Sequence, residues 1–430
     1  MTAMTAPALT STSSVAPPDP DLARPADAPP HVSTQAIPKG FAFAATHCGL
    51  KKAKLDLGVL ISETPASAAA VFTTNRVQAA PVLLCREHLK KSRGKVRAII
   101  VNSGNANCCT GPDGMAASRA TAAHLARSLR CPAEQILVCS TGVIGAPLRV
   151  EKILAAIPTL TLARGAEPES FEKVARAIMT TDTRPKWASA TCHAGGRHVR
   201  LLGCAKGSGM VHPNMATTLS YVVTDAAISP TLLSRALRTA VGPTFNSITV
   251  DGDTSTNDTL AVLANGQSGA TRITSQNRDY KNFVAALMKV CESLARAVVE
   301  DGEGAERVIE IEVRGAPSDR AADQVARTVA NSSLVKTAFA GADPNWGRIL
   351  AAAGRSGVKF NPDRVDIWLA GIPVCRRGRE HAFDERAAHD KMLAKRVPVL
   401  VDLHSGKGRA RMFTCDFTQE YVHINASYRT

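Results

Sequence analysis

The sequence predicts an α/β or α+β chain built on several sheets. Apolar runs with strand character alternate with stretches of helical period. Hydrophobic residues make up 45% of the 430 and charged residues 21%, as in an ordinary globular protein. Glycine and small polar residues concentrate in short segments, most of which follow such a run, where site loops usually sit. In chain order, VRAIIVN (96–102) reads as a buried strand, MAASRATAAHLARSLR (115–130) as a helix and ILVCS (136–140) as another strand. A helix over 169–179 follows. Over 282–300, Phe283, Leu287, Val290, Leu294 and Val298 recur at three- and four-residue steps, which is one face of a helix. VIEIEV (308–313) alternates apolar and acidic positions with the period of a half-buried strand. RVDIWLAG (364–371), VPVLVDL (397–403) and EYVHIN (420–425) read as further strands. No short internal repeat occurs.

The length predicts two or three domains, or one large α/β body with a full core of its own. No apolar run approaches a membrane span. The first 30 residues hold seven of the 24 prolines and almost no large apolar side chain, so a disordered tail is expected over 1–36, with the folded body from 37 on. That tail has neither the apolar stretch of a signal peptide nor the arginine richness of a transit peptide, which predicts a cytoplasmic protein. Eleven cysteines, irregularly spaced and without a CxxC pair, predict reduced thiols rather than a disulfide framework or a structural zinc site. Adjacent Cys108 and Cys109 have no His or Cys at ligand spacing, and no metal is expected. The net charge of +15 would suit a polyanion partner, but aromatic residues are only 4% of the chain and the basic residues are spread along it. The densest cluster, Lys407, Arg409 and Arg411, reads as a solvated hairpin edge between two strands. No nucleic-acid or membrane partner is expected.

The segments that carry chemistry are NSGNANCCTG (102–111), CSTGVIG (139–145), MTTDTRPK (179–186), AKGSGMVHPNMATTLS (205–220), VDGDTSTNDT (250–259), EDGEGA (300–305) and GADPNWGR (341–348). None fits a phosphate loop, a dinucleotide fingerprint, GxSxG or HExxH. The segment 205–220 is the most informative. A threonine hydroxyl inside a chain is a poor nucleophile, but cleavage before Thr217 would give that residue a free α-amine with a pKa of about 7.7–8.0. The amine then serves as base for its own hydroxyl. On spacing alone, Thr217 and Thr218 simply begin the strand TTLSYVV, since β-branched residues favour strands.

KGSGMVHPNMATTLS, VNSGNANCCTG, STGVIG, ITVDGDTSTNDT, DGEGA and the closing NASYRT together resemble the motif set of the ornithine acetyltransferases, the glutamate N-acetyltransferases of arginine biosynthesis. The similarity runs in the family's order from about Ile37 to Thr430. It implies an α/β fold of stacked sheets and helices that resembles the N-terminal nucleophile hydrolases with different connectivity. It also implies a precursor that cuts itself at Ala216–Thr217 into an α chain ending at 216 and a β chain beginning at 217, assembled as an α2β2 heterotetramer. By the same resemblance Thr217 is the nucleophile, and Thr141 and Gly142 form the oxyanion hole. Substrate is contacted by Thr180 (with Thr181 as the close alternative), Lys206, Thr217, Glu303, Asn425 and Thr430. The implied reaction moves acetyl from N2-acetyl-L-ornithine to L-glutamate through an acetyl-threonine. No bound cofactor is implied, and acetyl-CoA enters as an additional donor in two-function members. The strand EYVHIN is expected to tie down the C-terminal contacts. The chain departs from the family pattern at His212, at Thr218 and in MFTCDFT (412–418), which lacks an expected Trp. A His-assisted nucleophile is not expected, because an N-terminal threonine supplies its own base. An N-terminal nucleophile aminopeptidase, with water as acceptor, is the alternative reading.

Overall fold

The structure is a computed structural model that describes residues 32–212 and 218–427. The proline-rich segment 1–31, together with Ala216, Thr217 and Thr430, lies outside the described residues.

Eight strands form the larger sheet: β1 (Phe41–Thr46), β2 (Leu57–Phe72), β3 (Lys95–Asn105), β4 (Ile136–Val143), β5 (Lys186–Ala194), β6 (Arg197–Lys206), β7 (Leu219–Thr224) and β8 (Thr259–Ala264). Their order is β4-β3-β2-β8-β7-β6-β5, with β1 paired to β2. The period-2 alternation of side chains divides these strands among three cores. In β7, Val222 points to a core with Leu233 and Leu237 of α5 (Pro230–Val241) and Phe283, Leu287 and Leu294 of α6 (Arg278–Glu300). Its neighbours Tyr221 and Val223 point the other way, to a core shared with Phe43, Leu60, Ile99 and Leu137. The opposite faces of β2, β3 and β4, through Val59, Ile100 and Val138, pack on α2 (Gly111–Leu129) and α3 (Val150–Leu162). The result is a helix–sheet–sheet–helix stack. The strand β2 is long enough to serve both sheet layers, and its pairing with β3 shifts between Ile61 and Ala66, around Pro65. Two more helices, α1 (Ala80–Lys91) and α4 (Pro168–Ala177), close the middle core.

After α6 the chain builds a second, six-stranded sheet. Its strands are β9 (Val308–Ala316), β10 (Asp366–Leu369), β11 (Ile372–Arg376), β12 (Arg379–Glu380), β13 (Arg396–Asp402) and β14 (Gly408–Cys415), in the order β12-β11-β10-β13-β9-β14. Helices α7 (Asp319–Ala330), α8 (Ser333–Ala340) and α9 (Trp346–Gly354) pack on it around Ile311, Val325 and Val399. A short helix, α10 (Glu385–Met392), precedes β13. Stacked sheets and helices thus appear as the resemblance implied. All eleven cysteines are free thiols. No helix among the described residues is long and apolar enough to cross a membrane.

Two sequence expectations are corrected. Segment 397–415 is not a hairpin: β13 and β14 do not pair with each other but flank β9 on either side, β13 parallel and β14 antiparallel. The basic cluster therefore lies along an edge strand and the loop before it, still the place where charge discourages edge pairing. The segment EYVHIN is helical, part of α11 (Gln419–Ser427), not a strand. Its period-2 pattern misleads because Val422 is exposed and no sheet edge receives it. A strand would hold Tyr421 and Asn425 about 13 Å apart. One helical turn instead stacks them on one face, and the Asn425 Nδ2 donates to the Tyr421 carbonyl at 3.0 Å.

Candidate active site

The site forms where the end of β6, the starts of β7 and β8 and the end of β4 come together. Lys206 closes β6 and pairs across the ladder with Leu219, the first residue of β7, while Leu219 pairs in parallel with Thr259 of β8. The chain is described again from Thr218, which is buried and hydrogen-bonded through its hydroxyl to Ser220 at 2.7 Å. A cavity of about 120 Å³ opens here, lined by Leu219, Thr141, Gly142, Lys206, Glu303 and Asn425 among others. Since about 10–15 Å³ on this measure holds one water, the space suits a small amino-acid-sized ligand.

Each wall has a local cause. Thr141 and Gly142 lie near the end of β4, where pairing with β3 shifts at Gly104 and Asn105. The backbone of Gly142 has φ +129°, and a Cβ there would stand 2.4 Å from the Gly104 carbonyl carbon. Only glycine fits there, since any side chain would run into the backbone of β3. Lys206 Nζ donates to Thr180 Oγ1 at 3.2 Å. Burial holds its pKa below the ordinary lysine value, against the pull of the Asp182 carboxylate. Thr181 also lines the cavity, but its hydroxyl bonds to Ser208 at 2.7 Å. Glu303 is buried, tethered by its own N–H to the Ser208 carbonyl at 2.8 Å, and accepts from Asn425 Nδ2 at 2.8 Å. Across from it, Asp251 accepts from the Met210 and Val211 N–H groups at 2.6 and 2.9 Å and shapes the turn that leaves β6.

A buried charge cluster supports this wall from behind. Asp182 accepts from Thr180 N–H at 2.9 Å, from Gly207 N–H at 2.8 Å and from Lys186 Nζ at 2.6 Å. Lys186, 1% exposed, also pairs with Asp301 at 2.5 Å. Burial opposes ionisation of Asp182, but Lys186, Lys206 and the N–H donors outweigh it and hold the carboxyl below the usual range. Replacement of Asp182 by Ala is expected to cost about 3–5 kcal/mol, because it strips one partner from a buried ion cluster; urea unfolding at neutral pH measures it. The sign with pH follows from the lowered folded pKa. The stabilisation is present above the unfolded carboxylate pKa and is lost as pH falls through the folded one, so the variant loses less stability in acid than the wild type.

The sequence profile of the ArgJ family matches residues 42–430. The chain belongs to the ArgJ family. The arginine biosynthesis bifunctional protein ArgJ of Thermotoga neapolitana is 46% identical over 398 residues, which covers 92% of this chain and all of that protein. Its namesake from Desulfotalea psychrophila is 49% identical over 397 residues, 91% of this chain and 99% of that one. Among solved structures, the Bacillus halodurans arginine biosynthesis bifunctional protein argJ matches with 43% identity, covering 47% of this chain and 96% of that chain, at a TM-score of 0.46.

Of the residues singled out for this ArgJ-family chain, Thr141, Gly142, Thr180, Lys206, Glu303 and Asn425 all line the one cavity. The nucleophile candidate Thr217, the cleavage partner Ala216 and the contact Thr430 lie outside the described residues. His212 does not line the cavity. Its ring is half-buried, with a pKa held down first by burial and then by Arg327. No group of His, Cys, Asp and Glu among the described residues is arranged to hold a metal. Sequence reasoning missed Asp258, Asp251, Tyr421 and the Asp182–Lys186–Asp301 cluster. Asp182, Lys186, Asp251, Asp258 and Asp301 all sit in segments already marked by their small polar residues. The partnership of residue 186 with 301 could not be read from spacing. Gly209 carries a further expectation: a Cβ there would lie 2.3 Å from a Glu303 carboxylate oxygen. Replacement of Gly209 by Ala should push the Glu303 carboxylate aside and raise KM about tenfold or more, the loss of one charged hydrogen bond, with folding intact by circular dichroism.

Proposed function

We propose that this protein transfers the acetyl group of N2-acetyl-L-ornithine to L-glutamate, a step of arginine biosynthesis, after cutting itself between Ala216 and Thr217. The observation that carries the reading is the convergence of Thr141, Gly142, Thr180, Lys206, Glu303 and Asn425, drawn from five distant segments, on one cavity at the start of β7. In this mechanism the Thr217 hydroxyl attacks the Ala216 carbonyl, the peptide shifts to an ester with release of the α-amine, and water then hydrolyses the ester to free the hydroxyl and the Ala216 carboxylate. That amine then acts as base while the same oxygen takes the acetyl group. Backbone donors at Thr141 and Gly142 stabilise the oxyanion. The Lys206 charge orients a substrate carboxylate, and the Glu303 carboxylate receives the δ-ammonium of ornithine. Acetyl-CoA is a second donor.

The sheet order supports a product whose two chains remain one body. Strands β7 and β8, beyond the cut, are inserted between β2 and β6, which precede it. Cleavage would therefore leave an α chain ending at 216, with its body over 37–216, and a β chain of 217–430, laddered together on both sides as halves of a larger α2β2 assembly. The test is acetyl transfer from N2-acetyl-L-ornithine, with and without glutamate. Acetylglutamate formed only when glutamate is present supports the transferase. Ornithine released at the same rate without glutamate would instead make the protein a hydrolase with water as acceptor.

A further inference from the structure

Asp258 is a buried acid that the motif set leaves without a task. It directly precedes β8, and the next residue, Thr259, donates its N–H to the Thr218 carbonyl at 3.0 Å. The side chain lines the cavity, is 3% exposed, and its Oδ2 has no hydrogen-bond partner among the described residues. The acids around it are engaged: Asp251 accepts two backbone N–H groups, and Glu303 accepts from Asn425. An ionised carboxylate buried with one oxygen unpartnered is costly, whereas a protonated one is tolerated and can donate. The titratable groups that line the same cavity are Lys206 from β6, Asp251 and Asp253 from the loop before β8, Glu303 from the turn after α6 and Tyr421 from α11. Burial pushes the Asp258 carboxyl well above the usual range, while Ser255 and the Lys206 charge pull the other way. Burial thus favours the protonated form of this carboxyl.

We propose that Asp258 carries a proton between the leaving and the entering amine of acetyl transfer. The inference rests on the transferase reading above and completes its proton balance. In the first half-reaction the threonine oxygen bonds to the acetyl carbon and the amide C–N bond breaks. The hydroxyl proton passes to the threonine α-amine, and the departing ornithine nitrogen takes the proton of Asp258. In the second, the glutamate amine bonds to the acetyl carbon and gives a proton to the Asp258 carboxylate. The α-ammonium returns its proton to the threonine oxygen as the ester C–O bond breaks. Both groups finish as they began, with no further reactant.

The test compares two acetyl donors on the full-length protein. The amine of N2-acetyl-L-ornithine needs a proton to leave, whereas the nitrophenolate of p-nitrophenyl acetate leaves as an anion. For the wild type, the rate with the amide donor is expected to fall at high pH, where Asp258 loses its proton. The burst of nitrophenolate should show no such fall. The Asp258→Asn variant should lose about 10²–10⁴-fold with the amide donor and at least about tenfold less with the ester. Identical wild-type pH profiles for the two donors, or equal losses in a variant that mass spectrometry shows to be cleaved, would overturn the inference and leave the transferase reading standing. If Asp258→Asn remains uncut, the wild-type profiles decide. A wild type acetylated by neither donor would sink both readings together.

Discussion

Replacement of Thr217 by Ala is expected to leave a single chain of 45.3 kDa and to abolish acetyl transfer, with kcat lower by on the order of 10⁴-fold or more. The wild type should give two chains that break between Ala216 and Thr217, seen by intact mass under denaturing conditions. The size of the effect follows from two roles resting on one residue. In the proposed mechanism the hydroxyl is the attacking oxygen, and the α-amine freed by its own first reaction is the base that activates it. Alanine removes the first and prevents the second from arising. Native mass should still show one particle in the cleaved wild type, because the inserted pair β7–β8 is held by the β2 and β6 ladders. A wild type that folds but remains uncut would leave the hydroxyl without its base and would overturn the mechanism.

The second large effect is expected at Gly142. Its φ of +129° is strained for any side chain, and a Cβ would sit 2.4 Å from the Gly104 carbonyl carbon and 2.5 Å from the Asn105 nitrogen. Both obstacles are backbone, so nothing flexible can move aside, and the β3–β4 end must open. Replacement by Ala should therefore displace the proposed oxyanion donors and lower kcat by about 10²–10³-fold, the loss seen when one such donor is removed. Gly145, three residues on, is the control. It also has positive φ (+78°), but a Cβ there would meet nothing within 4 Å. Replacement of Gly145 by Ala should cost backbone strain of about 1 kcal/mol and leave kcat close to wild type. Steady-state rates on both variants check the pair, and equal losses would mean that backbone strain alone, not donor placement, accounts for the Gly142 effect.

Much of the layered architecture was legible before any coordinates. The long apolar period of 282–300 and the alternation in VIEIEV both persist, because each buries a continuous face against one partner layer. Reading failed where a segment has no sheet to join. EYVHIN has strand composition, yet its role is to cap the cavity, and only a helix brings Tyr421 and Asn425 to the same side within one turn. Likewise, nothing local in VPVLVDL and GRARMFTC shows that β9, some 90 residues earlier, would come between them.

The sequence by itself determined the chemistry on offer: a threonine that cleavage can arm, glycines where backbone must approach closely, and a set of motifs that belongs to one family. Those are properties of residue type and short spacing, and they survive without a fold. The tertiary structure alone decided which groups face one another. Lys206 meets Thr180 rather than Thr181, Asp182 is held ionised by a lysine and by two N–H groups from separate segments, and Asp258 has one oxygen with no partner among the described residues. Desolvation and pairing draw on distant as well as local neighbours, Gly207 25 positions from Asp182 and Asp301 115 positions from Lys186, and together they shift the titration of a buried acid.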